Sequence, residues 1–288
     1  MKRIIFITLA ILFVIFDASA QTAEVSTQKN GITWEKDFKK AQALAKETGK
    51  PMMLDFSASW CEPCQMMEKE FWVLSDVVEA VKPFIAVKVD FDAEKGLVGK
   101  YGVAAIPYVV FTDPLGNIIT SRRGFSNKKL SELNQIFEEM PKDFSPLKKY
   151  YDALELKKDD GTALLQIADA YRNSKMVRLS NEFYQKALKT PEIENDAAKK
   201  ERVMLTLGIN AYNLKAFEQS NEYLEDYLKA FPAEKNRETA LALLTVGSAI
   251  LEKMKNANKY LEKLKAEFPE SKYIVAAAKA IEDVKNRK

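Results

Sequence analysis

The chain has no histidine and only two cysteines among its 288 residues. With two sulfurs and no imidazole, a tetrahedral nitrogen/sulfur zinc site cannot be completed, and the commonest general base is missing altogether. Dense basic blocks and basic–aromatic interleaving are absent too, and the formal charge is only +3. That excludes the electrostatic footprint of a nucleic-acid binder. Apolar residues make up 47% and charged residues 30% of the chain, a globular composition, and the length suits two ordinary domains.

What is present begins with an export signal. Lys2 and Arg3 precede an apolar run from Ile4 to Phe16, followed by Ala18-Ser19-Ala20, a small-x-small cleavage pattern. The run of 13 residues falls short of the roughly 20 that cross a bilayer, which disfavours an uncleaved anchor. Residues 1–20 are therefore expected to be a signal peptide, 21–31 a flexible polar segment, and the mature chain periplasmic or otherwise exported.

In an oxidising compartment the two cysteines could form a purely structural bridge. They lie three positions apart, Cys61 and Cys64, and closing so short a loop removes little unfolded-chain entropy. Redox chemistry is the role that remains.

From Ile32 to about Met140, short β-rich runs alternate with helical stretches, an α/β pattern. Trp34, Phe38, Ala41 and Ala45 keep helical spacing up to Gly49-Lys50-Pro51. Met52–Ser57 is apolar enough for a strand buried on both faces, and a helix over Cys61–Phe71 follows. Further expectations are helices over Asp76–Lys82 and Glu94–Tyr101, a strand over Phe84–Asp90, and a hairpin turning at Asp113-Pro114-Leu115-Gly116. A last helix runs from a Ser126 cap to near Met140. Two prolines, Pro141 and Pro146, bracket the boundary between a domain at 32–141 and one at 145–288.

Beyond that boundary the pattern is helical, and the sequence repeats itself. Ser180-Asn181-Glu182-Phe183-Tyr184 returns as Ser220-Asn221-Glu222-Tyr223-Leu224, and Tyr223-Leu224-Glu225 with Phe231-Pro232 returns as Tyr260-Leu261-Glu262 with Phe268-Pro269. Intervals of this size signal stacked helix pairs. The segments resemble tetratricopeptide repeats: Leu207-Gly208, Pro232, Ala257, Leu261, Ser180 and Ala187 fall at motif positions, although the first-helix tryptophan is absent and the spacing runs long. A plain helical bundle would use the same apolar stripe for its own core.

Trp60-Cys61-Glu62-Pro63-Cys64 directly follows a buried strand and opens a helix. Free N–H groups and the partial positive charge of a helix start stabilise a thiolate, which marks Cys61 as nucleophile and Cys64, one turn deeper, as the resolving thiol.

Here the chain resembles the thioredoxin-like family, in Asp55-Phe56-Ser57-Ala58-Ser59-Trp60-Cys61, Lys88, Lys100-Tyr101-Gly102-Val103 and Ile106-Pro107. Lys50-Pro51, the long helix through Glu68 and Phe71, and the Asp113–Gly116 turn are similar to the branch that includes the periplasmic domain of membrane disulfide reductases. The resemblance implies a thioredoxin fold followed by an all-α tetratricopeptide-like domain, with a redox-active Cys61–Cys64 disulfide, no cofactor and no metal. It places Asp55 as the acid that takes the proton of Cys64, with Lys88 beside it; the alternative is a water-exposed strand end. It makes Pro107 cis, leaving the Ile106 backbone to pair with an extended client, against an ordinary trans proline. Trp60 would contact clients instead of filling a core, and Gly124 would border the client groove instead of merely serving a turn. Glu62 stands where thioredoxins commonly carry glycine. Its charge opposes a Cys61 thiolate and favours a reductase poise.

The expected activity is that of an exported thiol–disulfide oxidoreductase reducing or exchanging disulfides in client proteins. Its electrons would come from an upstream thiol donor such as a membrane reductase, and a partner peptide or protein would sit on the helical repeats. The competing reading is a non-catalytic adaptor whose repeats recruit partners. An adaptor has no need of a buried carboxylate below its disulfide.

Overall fold

The computed structural model describes residues 31–286. The signal-like segment and the polar stretch that follows it, residues 1–30, lie outside the described residues. Five strands, β1 (Trp34–Glu35), β2 (Met52–Ser57), β3 (Ile85–Asp90), β4 (Tyr108–Thr112) and β5 (Ile118–Arg123), form one sheet in the order β1-β3-β2-β4-β5. β1, β3 and β2 run parallel, β4 pairs antiparallel with β2, and β5 antiparallel with β4. Helices α1 (Phe38–Thr48), α2 (Glu62–Glu70), α3 (Ser75–Val81), α4 (Lys95–Lys100) and α5 (Asn127–Glu139) alternate with them.

Trp34 corrects the expected first helix. It shares the spacing of Phe38, Ala41 and Ala45, yet it lies in β1, paired opposite Ala86. The reason is local: Asp37 caps α1, its carboxylate accepting from the N–H groups of Lys39 and Lys40, so the helix starts after the strand.

β2 is the strand that positions everything else. It is flanked on both sides and covered on both faces, so five of its six residues are buried. The period of two sends Met52, Leu54 and Phe56 into the cluster with Ala41, Ala45, Val87 and Val110. Met53 goes to the opposite cluster with Met67, Phe71, Trp72 and Phe111. Asp55, two residues from Met53, therefore emerges beneath α2.

Beyond α5 the chain is helical: a 3-10 turn (Ser145–Leu147), then α6 (Lys148–Leu156), α7 (Gly161–Asn173), α8 (Val177–Leu188), the short α9 (Pro191–Glu194), α10 (Ala197–Asn213), α11 (Phe217–Ala230), α12 (Arg237–Ile250), α13 (Met254–Glu267) and α14 (Ile274–Lys285). Three tight helix pairs, α7/α8, α10/α11 and α12/α13, each turn through one left-handed residue: Lys175, Lys215 and Glu252. The first two pairs share a side-chain clasp. Ser180 donates to the Ala168 carbonyl at 2.8 Å, and Ser220 to the Gly208 carbonyl at 2.9 Å. At Gly208 a Cβ would come within 2.5 Å of Leu224, so the α10/α11 approach requires glycine.

The helical region meets the α/β part at the β4–β5 turn. Leu115 and Ile119 pack against the cluster holding Phe144, Tyr151, Tyr171 and Phe183. Asp113, fully buried, accepts from Tyr171 Oη at 2.6 Å, and Tyr171 Oη lies 3.0 Å from Tyr151 Oη. The Phe144 N–H donates to the carbonyl of Gly49, the left-handed cap of α1, where Ser145 leaves no room for a Cβ. Among the described residues no helix is long and apolar enough to cross a membrane.

Candidate active site

The strand that buries Asp55 ends four residues before Cys61, and the turn between them delivers Cys61 to the N-cap of α2. Cys61 and Cys64 are joined by a disulfide with Cα atoms 5.3 Å apart. The Cys64 N–H points at Cys61 Sγ, 3.3 Å away, and Pro63 occupies the first turn, where no intrahelical donor is needed. A sulfur in this place receives helix-start N–H groups and the positive end of the helix dipole. Burial does not separate the two thiols, since Cys61 is 4% and Cys64 7% exposed. Position along α2 does: Cys61 caps the helix, and Cys64 faces inward with Met67.

Beyond Cys64 the buried residues of α2 and the turn after it are Met67, Phe71 and Trp72, while Glu68, about half exposed, reaches Lys88 from the same helix. Asp55 is 2% exposed, which removes the water-exposed alternative. Lys88, its register partner on β3, donates to Oδ2 at 2.8 Å and also holds Glu68 of α2. Trp72 Nε1 donates to the same Oδ2 at 3.1 Å, while the buried Oδ1 has no hydrogen-bond partner among the described residues. Burial pushes the Asp55 carboxyl above its ordinary value; Lys88 and Trp72 pull against that rise, and the charge of Glu68 adds to it. Burial pulls the Lys88 ammonium down, but Asp55 and Glu68 together outweigh it and hold the ammonium above its usual range. Trp34 completes the enclosure, with Lys88 Nζ 4.3 Å from its ring centroid and its edge against Trp72.

Ile106 and Phe91 pack on the cluster of Ala58, Cys61 and Cys64. The Ile106–Pro107 peptide bond is cis, and Ile106 makes no backbone hydrogen bond among the described residues. Pro107 is buried, and its carbonyl takes the N–H of Gly124 at 2.8 Å. Gly124 has φ of 82°, a left-handed conformation that glycine adopts without strain. Trp60 is 65% exposed, so it is not a core aromatic. Its Nε1 donates to Asp92 at 2.6 Å, and its ring meets the edge of Phe91. That bond, helped by Lys95, holds the Asp92 carboxyl below its ordinary value.

The structure thus ties Asp55 and Lys88 to the disulfide's helix through Glu68, sets Ile106 against the cysteines, and joins Trp60 to them through Phe91 and Gly124 through Pro107. Reading the sequence missed Trp34, Trp72, Phe91 and Asp92, and treated Glu68 only as part of a long helix. One signal was available: the chain has three tryptophans, and all three fall at this site. Among the described residues no group of three or more Cys, Asp or Glu side chains could hold a metal ion.

Residues 33–114 match the family described as thioredoxin-like. Over 78 residues the chain is 37% identical to thioredoxin Y2, chloroplastic, of Arabidopsis thaliana, covering 26% of this chain and 45% of that protein. Over 108 residues it is 33% identical to the thiol:disulfide interchange protein DsbD of Vibrio vulnificus (strain YJ016), covering 36% of this chain and 18% of that one. The chain therefore spans less than half the length of either relative. A solved thioredoxin from Thermus thermophilus aligns at 22% identity with a TM-score of 0.34, over 38% of this chain and 86% of its own. The family match, with a cysteine pair at the head of α2 and a five-stranded mixed sheet behind it, makes the N-terminal α/β part a thioredoxin-like domain, followed in this chain by an all-helical region.

Proposed function

We propose that the protein is an exported thiol–disulfide oxidoreductase that reduces or exchanges disulfides in periplasmic client proteins through Cys61 and Cys64. One observation carries this reading: the helix capped by the disulfide is tied through Glu68 and Lys88 to a buried carboxylate, one oxygen of which has no hydrogen-bond partner among the described residues. In the reduced protein the Cys61 thiolate attacks a client disulfide, forming a mixed disulfide and expelling one client thiolate. Cys64 then gives its proton to Asp55 and attacks Cys61 Sγ, closing the Cys61–Cys64 disulfide and releasing the second client sulfur, which takes up a proton. Two electrons pass from the protein dithiol to the client, and an upstream thiol donor restores the dithiol. The printed name of the Vibrio relative, a thiol:disulfide interchange protein, agrees with this exchange chemistry.

Trp60, held by Asp92, and the unpaired backbone of Ile106 form the client face, with Pro107 and Gly124 shaping it. An extended client segment pairs there by strand addition. We take 32–141 as the redox module and 145–288 as a tetratricopeptide-like module that recruits a partner peptide or protein. Its three helix pairs, with left-handed turns at the intervals of the sequence repeat, support that assignment.

Trapping tests the reading. Cys64→Ser, reduced and mixed with oxidised insulin, is expected to accumulate a mixed disulfide through Cys61, and Cys61→Ser is expected to trap nothing. Trapping that needs Cys64 and survives loss of Cys61 reverses the roles. Absence of any adduct in either variant, with wild type also inactive on insulin, favours the adaptor reading.

A further inference from the structure

The two oxygens of Asp55 stand in different circumstances. Oδ2 receives two donors, Lys88 Nζ at 2.8 Å and Trp72 Nε1 at 3.1 Å. Oδ1 is buried with no partner among the described residues. A proton cannot settle on an oxygen at which two N–H groups already point, because it would meet them as a third donor. A buried polar atom left unpaired in a native site calls for a reason.

We propose that Trp72 is a positioning residue which, with Lys88, occupies Oδ2 and so commits the proton of Cys64 to Oδ1. The proposal rests on the relay role of Asp55 given above. Trp72 suits the task chemically. Indole N–H only donates and does not titrate in the working range, so its hold on Oδ2 is independent of pH. Its placement is secured from several sides. The Trp72 backbone N–H donates to the Met67 carbonyl at 3.1 Å, Phe71 packs at 4.9 Å between ring centroids, and Trp34 meets it edge-on at 5.4 Å. The charged groups facing Asp55 are Lys88 from β3 and Glu68 from α2, which pull its carboxyl in opposite directions.

In the resolving step, the Cys64 S–H bond breaks, its proton goes to Oδ1, and the sulfur's electron pair forms the bond to Cys61 Sγ. The client sulfur leaves with the electrons of the mixed disulfide. Oδ2 keeps both donors before and after, so no hydrogen bond need be remade as the proton arrives. That is preorganisation of the acceptor.

The test uses Ellman's reagent, whose coloured thiol is released twice: once when Cys61 attacks, and again when Cys64 resolves. Trp72→Phe keeps the ring and deletes only the N–H. Its second phase is expected to show a pH midpoint about half a unit or more above wild type, because the carboxyl loses a donor that stabilises its charged form. In an Asp55→Asn background the same change should add nothing. An unchanged Trp72→Phe profile beside a slowed Asp55→Asn overturns the assignment of Trp72 alone. Equal slowing of Trp72→Phe in both backgrounds also overturns it, since that marks a structural effect. An Asp55→Asn protein that resolves like wild type overturns the relay, and this proposal with it.

A second measurement needs no change at Trp72. In the wild-type protein its indole N–H resonance should keep a hydrogen-bonded position on both sides of the Asp55 titration. Movement to an unbonded position as Asp55 takes up its proton places the proton on Oδ2 and overturns the proposal.

Discussion

Two buried aspartates organise two regions of this molecule. Asp55 is tied through Lys88 and Glu68 to the helix that carries the disulfide; Asp113 lies where the β4–β5 turn meets the helical region. Burial is the largest influence on both, and it pushes both carboxyls above their ordinary values. Their partners differ. Asp113 accepts from Tyr171 Oη and from the backbone and side-chain N–H groups of Asn117, and neither of its oxygens is orphaned. Asp55 shares a cation with Glu68, and its Oδ1 has no hydrogen-bond partner among the described residues. A satisfied buried acid holds structure together. An unsatisfied one keeps an oxygen open to a proton, which is the role proposed for Asp55.

The largest expected effect falls on the satisfied acid. Asp113→Ala removes the acceptor of the buried Tyr171 hydroxyl, leaving it only Tyr151 Oη, and the acceptors of both half-buried Asn117 donors. Unfolding in urea should show a loss of about 2–3 kcal/mol, the scale of stranded buried donors. The first phase with Ellman's reagent should be unaffected, because Cys61 is remote from the junction in the fold. A loss below about 1 kcal/mol would erase the contrast between the two acids.

Next in size is the opposite outcome at the site. Asp55 has a raised carboxyl, so the folded chain keeps a proton that the unfolded chain has already released. Wild-type stability is thus fully present in acid, below the ordinary carboxylate range, and is lost as pH rises through the folded-state value. The slope is at most about 1.4 kcal/mol per pH unit for one proton. Asp55→Asn has no such slope. It should match wild type in acid, exceed it at neutral pH, and resolve mixed disulfides slowly. Parallel stability curves for the two proteins, or a less stable variant at pH 7, would remove Asp55 from the class of acids kept for function.

Much of this was legible in the residues, and the limits have physical causes. β2 was read at both ends because a strand covered on both faces must be apolar throughout, and Asp55 stood out in it for the same reason. The cysteine pair was legible because its meaning depends on local context, a strand before it and a helix after. Trp34 was misplaced because its spacing from Phe38 and Ala41 fits a helix perfectly well, and only the Asp37 cap says where that helix begins. Trp72 was illegible because its indole reaches 17 residues back to Asp55 through the packing of α2 on the sheet. The Asp113 turn looked like ordinary turn chemistry. Its partner Tyr171 lies in α7, 58 residues on, and a repeat pattern cannot show which face of which helix meets a distant hairpin.

The smallest effect probes whether satisfaction by hydrogen bonds is what distinguishes the two acids. Tyr171→Phe keeps the ring that packs on Phe144 and Phe183 and deletes the hydroxyl that donates to Asp113. The junction acid then moves one step toward Asp55: Oδ2 keeps only the Asn117 side-chain donor, and Oδ1 keeps the Asn117 N–H. That hydroxyl holds the Asp113 carboxyl down against burial, so losing it moves the folded-state value further up. More of the folded protein must then carry a proton that the unfolded chain lacks, and stability falls more steeply as pH rises. The variant should lose about 1 kcal/mol at neutral pH and about half that in acid, since a hydrogen bond to a charged acceptor is worth more than one to a neutral one. Urea midpoints measured from pH 4 to 8 decide it. A deficit that stays constant across the range means the hydroxyl serves Tyr151 and packing alone, and the likeness drawn between the two acids fails.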